Sequence, residues 1–201
     1  TVDGLSVSNW VAIASNIVGE AENFYTDTTP LALQAAYRVV DEGPIPPAEY
    51  LNEDFETDPF TRGWMVVTNA GHQAGTDWQW GTPSSGPGSA QDGTGAMGTN
   101  LAGDYGSNAD ISLLSPMVDL TGVTAANVIF GNFYDNEGSG FDMSEIYIRD
   151  ENGAEITGLE LPIVEYGGFV TSWQTPTVAL PAAALDRTMR LEFRFFSDGS
   201  T

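Results

Sequence analysis

The chain has no cysteine, no lysine and a single histidine, His72, among its 201 residues. Without thiols no disulfide framework exists, and thiolate or imidazole sites for softer metals are nearly excluded. All six basic residues are arginines (Arg38, Arg62, Arg149, Arg187, Arg190 and Arg194), set against 28 acids for a net charge of −22. Such a chain is repelled by a phosphate backbone, so nucleic acid is excluded as a partner, and anionic membranes and acidic polymers are disfavoured. Cations are its natural partners. No apolar run approaches the roughly 20 residues needed to span a bilayer, which predicts no membrane insertion. No basic-then-apolar leader opens the chain at Thr1-Val2-Asp3, a start that fits a mature or excised piece of a longer protein.

Hydrophobic residues make up 41% of the chain, enough for a core despite the charge. The 23 glycines and 11 prolines break the chain at short intervals, and long helical periodicity is nearly absent, which favours an all-β fold. Several segments alternate with period two, as strands with one buried and one wet face do. Leu33, Ala35, Tyr37 and Val39 alternate with Gln34 and Arg38. Ile146 and Ile148 flank Tyr147. Met189, Leu191, Phe193 and Phe195 oppose Arg190, Glu192 and Arg194. Asn152-Gly153 between Ile148 and Ile156 predicts a hairpin turn with positive φ at both central residues. The proline-rich run Asp41–Ala48 reads as a stiff connector. It divides a β-rich segment, 1–43, with about three strands, from a main domain, 44–201.

Clustered carboxylates are the clearest local signal. Glu53, Asp54 and Glu56 surround a strand-like Phe55, with Asp58 just beyond. Carboxylates this close repel one another and imply a bound cation or a fully solvated edge. A second group is Asp135-Asn136-Glu137-Gly138-Ser139-Gly140-Phe141-Asp142, which bends enough to wrap an ion. A third, Asp150, Asn152 and Glu155, is explained by the hairpin alone. Hard oxygen donors of this kind suit Ca²⁺, although no EF-hand spacing is present. Solvated turns are the alternative reading of all three.

Aromatic residues mark a second possibility. Trp78 and Trp80 fall on one face of an extended segment within the Gly/Ser/Asp/Asn-rich stretch 75–110, which also carries Tyr105. Such rings either stack on a ligand or fill a core. Trp64 and Trp173 read as core residues. Catalysis finds little support: His72 has no G-x-S-x-G partner, no phosphate-binding loop is present, and no carboxylate pair stands out for glycoside hydrolysis.

From Asn52 onward, motifs in a set order resemble the cleaved-adhesin and MAM-like jelly-roll modules of bacterial secreted proteases and surface proteins. Asn52-Glu53-Asp54-Phe55-Glu56 with Gly63-Trp64 looks like their opening strand. Asp77-Trp78-Gln79-Trp80-Gly81, Met97-Gly98-Thr99-Asn100-Leu101 with Tyr105, Leu114–Leu120, and Ser172-Trp173-Gln174 with Ala179-Leu180 follow. Upstream, Trp10–Ala14, Tyr25–Thr28 and Ala36–Val39 resemble the closing strands of fibronectin-III-like modules. The resemblance implies an antiparallel β-sandwich of jelly-roll type, frequent calcium binding, and adhesion or carbohydrate and protein binding without catalysis. It supports Asp54 and Glu56 in particular as metal ligands. Such modules usually end on a strand with an acidic pair that this sequence lacks after Phe196, which raises completion of the sheet by another chain.

The resulting expectation is an all-β jelly-roll sandwich after a short β-rich segment. It is read as a non-enzymatic, calcium-stabilised binding or adhesion module that is extracellular or on the cell surface. Asp54, Glu56, Asp135 and Asp142 are the metal candidates, and Trp78, Trp80 and Tyr105 the ligand contacts. The partner is a glycan or a cell-surface or extracellular protein. Two alternatives stand beside it. One is a structural subunit that self-associates through an open sheet edge, and the other is an accessory domain of a secreted hydrolase.

Overall fold

A computed structural model describes residues 48–200, and the expectations for the β-rich segment 1–43 and for the proline-rich connector up to Pro47 lie outside them. The alternating apolar segments become ten strands, with no α-helix among the described residues: β1 (Met65–Thr68), β2 (Trp78–Gly81), β3 (Ala96–Thr99), β4 (Asp110–Leu114), β5 (Val118–Asp119), β6 (Asn127–Ile129), β7 (Met143–Asp150), β8 (Val164–Tyr166), β9 (Thr177–Ala179) and β10 (Thr188–Phe196). Every strand pairing is antiparallel. The fold is therefore an all-β antiparallel sandwich. One layer is a six-stranded sheet in the order β1-β4-β10-β7-β8, with β5 also paired to β10. The other consists of two separate pairs, β2-β3 and β6-β9.

The period-two reading of β10 holds. Met189, Leu191 and Phe195 are buried and face the second layer. Arg190, Glu192 and Arg194 point to the opposite face, beside Arg149, Tyr147 and Glu145 of β7. The core lies between the layers in two clusters. The larger joins Val118, Leu120, Ile146, Ile148, Leu180, Met189 and Leu191. The smaller joins Ala109, Ile111 and Phe195 with Trp78 and Tyr105. Phe193 lies between Trp64 and Phe130, at ring-centroid distances of 6.3 and 5.7 Å, and is only half-buried. Trp64 is a core residue, as its sequence context predicts. Trp173 is half-buried; its indole Nε1 donates to the Ser89 carbonyl at 3.0 Å and its ring packs on Phe133.

Two local expectations are corrected. The stretch 52–58 is not an opening strand but a chain of bends, and Phe55 adopts φ +57°. Its acids capture nearby backbone amides: Phe55 N donates to Glu53 Oε1 at 2.7 Å, Glu56 N to Asp54 Oδ1 at 3.0 Å, and Phe60 N to Asp58 Oδ1 at 2.9 Å. Short-range bonds of this kind compete directly with a strand ladder. The turn at Asn152-Gly153 does form, but only Gly153 has positive φ, and its return arm is the single bridge Arg149↔Glu155. Asp150 Oδ1 explains the difference, because it accepts the amides of Asn152 and Ala154 at 2.8 Å each and closes the turn itself.

Candidate metal centre and ligand surface

The sequence-predicted residues separate into two groups. The first is built on residues 53–56 and their neighbours. Glu56 accepts hydrogen bonds from Thr94 N, Gly95 N and Thr94 Oγ1 at 2.7, 2.8 and 2.9 Å, and these donors hold its carboxyl below the usual range. The Phe55 carbonyl lies where a β-carbon on residue 95 would stand, so only glycine allows this approach. Trp80 Nε1 donates to the Phe55 carbonyl at 2.7 Å, leaving the indole 38% exposed. Glu53 is ion-paired with Arg62 and also accepts Trp64 Nε1 at 3.0 Å. In this cluster an arginine and the chain's own amides bond the carboxylates. Asp54 is exposed and serves its local turn.

The second group gathers at one end of the sandwich. Asp142 is fully buried. Its Oδ2 accepts the Tyr105 hydroxyl at 2.7 Å and its Oδ1 accepts the Asp198 amide at 2.9 Å. Burial, reinforced by Asp142, pushes the Tyr105 hydroxyl well above its ordinary pKa. The Tyr105 ring meets Phe195 edge-on at 4.9 Å. Asp142 closes the turn that the second acidic motif predicts: Gly138 N donates to the Asp142 carbonyl at 3.1 Å, and Ser139 and Gly140 take positive φ. Gly138 packs against the backbone of Gly167 and Gly168, leaving no room for a side chain. Carboxylate oxygens of Glu137, Asp142 and Asp198 all lie within 4.8 Å of one another, so these three acids could hold a metal ion. None of them forms an ion pair among the described residues. Asp135, the remaining metal candidate, is bridged to Phe169 on the adjoining loop and lies outside this trio.

Of the predicted residues, the fold therefore joins Tyr105 to Asp142, and Glu56 to the neighbourhood of Trp80, but keeps the two groups in separate places. Trp78 is half-buried against the smaller core cluster, and its Nε1 has no hydrogen-bond partner. Asp198 is the residue that sequence reasoning missed. The only signal for it is its place two residues beyond the strongly alternating β10, since its distance from residues 137 and 142 is set by sheet pairing. Beside this end lie the two most exposed phenylalanines among the described residues, Phe169 at 71% and Phe141 at 51%. His72 sits in a loop, where its Nδ1 accepts the Asp110 amide at 3.1 Å.

No family model matches the chain. Among curated proteins it is similar to Bacillopeptidase F of Bacillus subtilis (strain 168), 29% identical over 151 residues, which is 74% of this chain. The chain spans only 9% of that protein's length. Among solved structures it is similar to two cleaved adhesin domains of Lys-gingipain from Porphyromonas gingivalis W83, K1 and K3, each with a TM-score of 0.47 and 20% identity. These alignments cover 73 and 75% of this chain, and 87 and 90% of those domains. They are the kind of module that the motif order in the sequence resembles. A carbohydrate-binding module solved in complex with β-1,4-galactotriose is also similar, with a TM-score of 0.42 and 15% identity over 74% of this chain and 91% of that one. No helix among the described residues is long and apolar enough to cross a membrane.

Proposed function

We propose that the chain is a non-catalytic, calcium-stabilised binding module of an extracellular or cell-surface protein, with a glycan or a protein as its ligand. The observation that carries this reading is the convergence of Glu137, Asp142 and Asp198 at the loop end of the sandwich without a basic partner. Three carboxylates offer up to six hard oxygens, the donor chemistry of Ca²⁺ and not of a thiophilic metal. An ion there would tie the 135–142 turn to the segment after β10. Loops fixed in advance lose less entropy when they engage a ligand. Exposed Trp80 is the ligand-facing ring in this reading, while Trp78 and Tyr105 pack against the smaller core cluster.

The test is a thermal melt of the purified chain with and without EGTA, followed by calcium add-back. A fall in melting temperature on chelation, restored by Ca²⁺ and absent in Glu137→Gln, is the expected result. An unchanged melt at saturating calcium would remove the ion from the proposal.

The match to a small part of Bacillopeptidase F favours a second reading, in which the module is an accessory domain of a larger secreted peptidase. A pull-down between the chain and the remainder of its parent protein separates the two. Stable association with the catalytic part supports the accessory role.

A further inference from the structure

The wet face of the six-stranded sheet holds a structured cleft that the loop-end site does not use. The register sets Val67, Ser112, Arg194 and Glu145 in one row across β1, β4, β10 and β7. The next row is Met65, Leu114, Glu192 and Tyr147. The turn after β7 forms a wall, joined to the floor by Arg149 Nη1 and Glu155 Oε1 at 3.2 Å. Two hollows of about 320 Å³ each share Asn69, Arg149 and Glu192 and so form one cleft. Each is large enough for a small-molecule site.

The polar groups of the cleft are held in place. Arg194 grips Asp110 through Nε and Nη2 at 2.8 Å each and reaches Glu145 through Nη1 at 3.1 Å. Arg149 Nε donates to Glu192, which also accepts Ser112 Oγ at 2.5 Å. Asn69 Nδ2 bonds both Asp110 and Ser112, at 2.8 and 3.0 Å. Ser112 is fully buried, and Glu192 and Glu145 are only 6 and 7% exposed, although they stand on the face away from the core. Side chains that merely keep a sheet soluble extend into water; here they are desolvated and interlocked. The guanidinium of Arg149 uses Nε and Nη1, and its Nη2 has no protein acceptor among the described residues.

We propose that this cleft binds a neutral, polyhydroxylated ligand, namely an uncharged oligosaccharide laid across β1, β4 and β10. The inference rests on the glycan reading above, but gives the glycan a ligand class and a place on the sheet face instead of at the loops and Trp80. Four acids (Asp110, Glu145, Glu155, Glu192) face two arginines, so the cleft repels phosphate, sulfate and uronate groups. A sugar hydroxyl matches it, because one O–H donates to a carboxylate while its oxygen accepts from a guanidinium. Met65 and Val67, 43 and 39% exposed, provide an apolar strip beside the polar groups for the C–H face of a sugar ring.

The full chain is titrated with neutral oligosaccharides (β-1,4-linked gluco-, galacto- and manno-oligomers) and with an oligouronate, by calorimetry and by ¹⁵N NMR. The expected result is binding of a neutral oligomer and not of the uronate. The Arg149 Nε–H and Asn69 side-chain amide signals shift on titration, and Asn69→Ala and Arg149→Gln each weaken binding about tenfold or more; Arg149→Gln also lowers the melt, because Glu192 loses its charge partner. The NMR shifts in the wild type keep the test valid if either variant folds poorly. Binding of a neutral oligomer without these shifts, and lost in Trp80→Ala, overturns the cleft and leaves the glycan reading standing. No binding of any neutral oligomer overturns both.

Discussion

Two acidic clusters that look alike in the sequence behave differently in the fold. Around residues 53–56, each acid described finds a partner within the chain: Arg62 and Trp64 for Glu53, local amides for Asp54, and the 94–95 backbone for Glu56. At 137, 142 and 198 the carboxylates face one another with no ion pair among the described residues; a tyrosine hydroxyl and a backbone amide bond Asp142, and Ser200 N and Oγ bond Asp198 at 2.8 and 3.0 Å. Arg62 neutralises one acid of the first cluster, whereas no basic side chain pairs with the second among the described residues, so carboxylates brought within 4.8 Å of one another there keep their mutual repulsion.

The sharpest way to break the comparison is to remove one carboxyl from each cluster. Asp142→Ala strands a buried tyrosine hydroxyl and a backbone amide, at roughly 1–3 kcal/mol for each unsatisfied group. A melting temperature lower by about 5–10 °C is expected, while Asp54→Ala, exposed and serving one turn, shifts it by about a degree or less. Equal losses in the two variants would mean that burial does not distinguish the clusters. Next in size is calcium. At a free concentration 100-fold above Kd the ion adds about 2.7 kcal/mol. Chelation should lower the melt of wild type and of Glu56→Gln alike, yet leave Glu137→Gln unmoved; a Glu56→Gln protein insensitive to EGTA would move the ion to the other cluster.

Glu53→Gln is a smaller perturbation. It removes the Arg62 pair, in which the arginine is substantially exposed, and weakens the bond from Trp64 Nε1, for about 1 kcal/mol, less in high salt. Melts at low and high ionic strength check it. The smallest effect concerns acid stability. Glu56 has a folded pKa below its ordinary value of 4.5, so its contribution is present above that value and is lost as pH falls through the lowered one. The difference in melting temperature between wild type and Glu56→Gln should therefore shrink between neutral pH and about pH 3. A difference that grows on acidification would contradict the hydrogen-bond account.

Much of the fold was legible beforehand, for reasons visible in single elements. The alternation in 189–195 is a local property of a strand with two unlike faces, and β10 follows it in buried Met189, Leu191 and Phe195, while Glu192 is buried and Phe193 only half-buried. The Asn152-Gly153 turn was legible for a similar reason, although Asp150 rather than the asparagine determined its geometry. The opening segment was not, because Phe55 in isolation looks like a strand residue. Only the competition between side-chain acceptors and a ladder shows that the ladder loses there.

Composition and periodicity by themselves determined the all-β class, the absence of thiol ligands, the net negative charge and the polar face of β10. These follow from charge totals and from the two-residue repeat, which need no partner strand. The tertiary structure alone decided that Asp198 stands beside Asp142, 56 positions away along the chain. It alone decided that Arg149 and Arg194 share one cleft, and that Trp80 turns its indole to the Phe55 carbonyl. Each of these is a distance between segments far apart in sequence, fixed by sheet register and loop packing, and no local pattern encodes it.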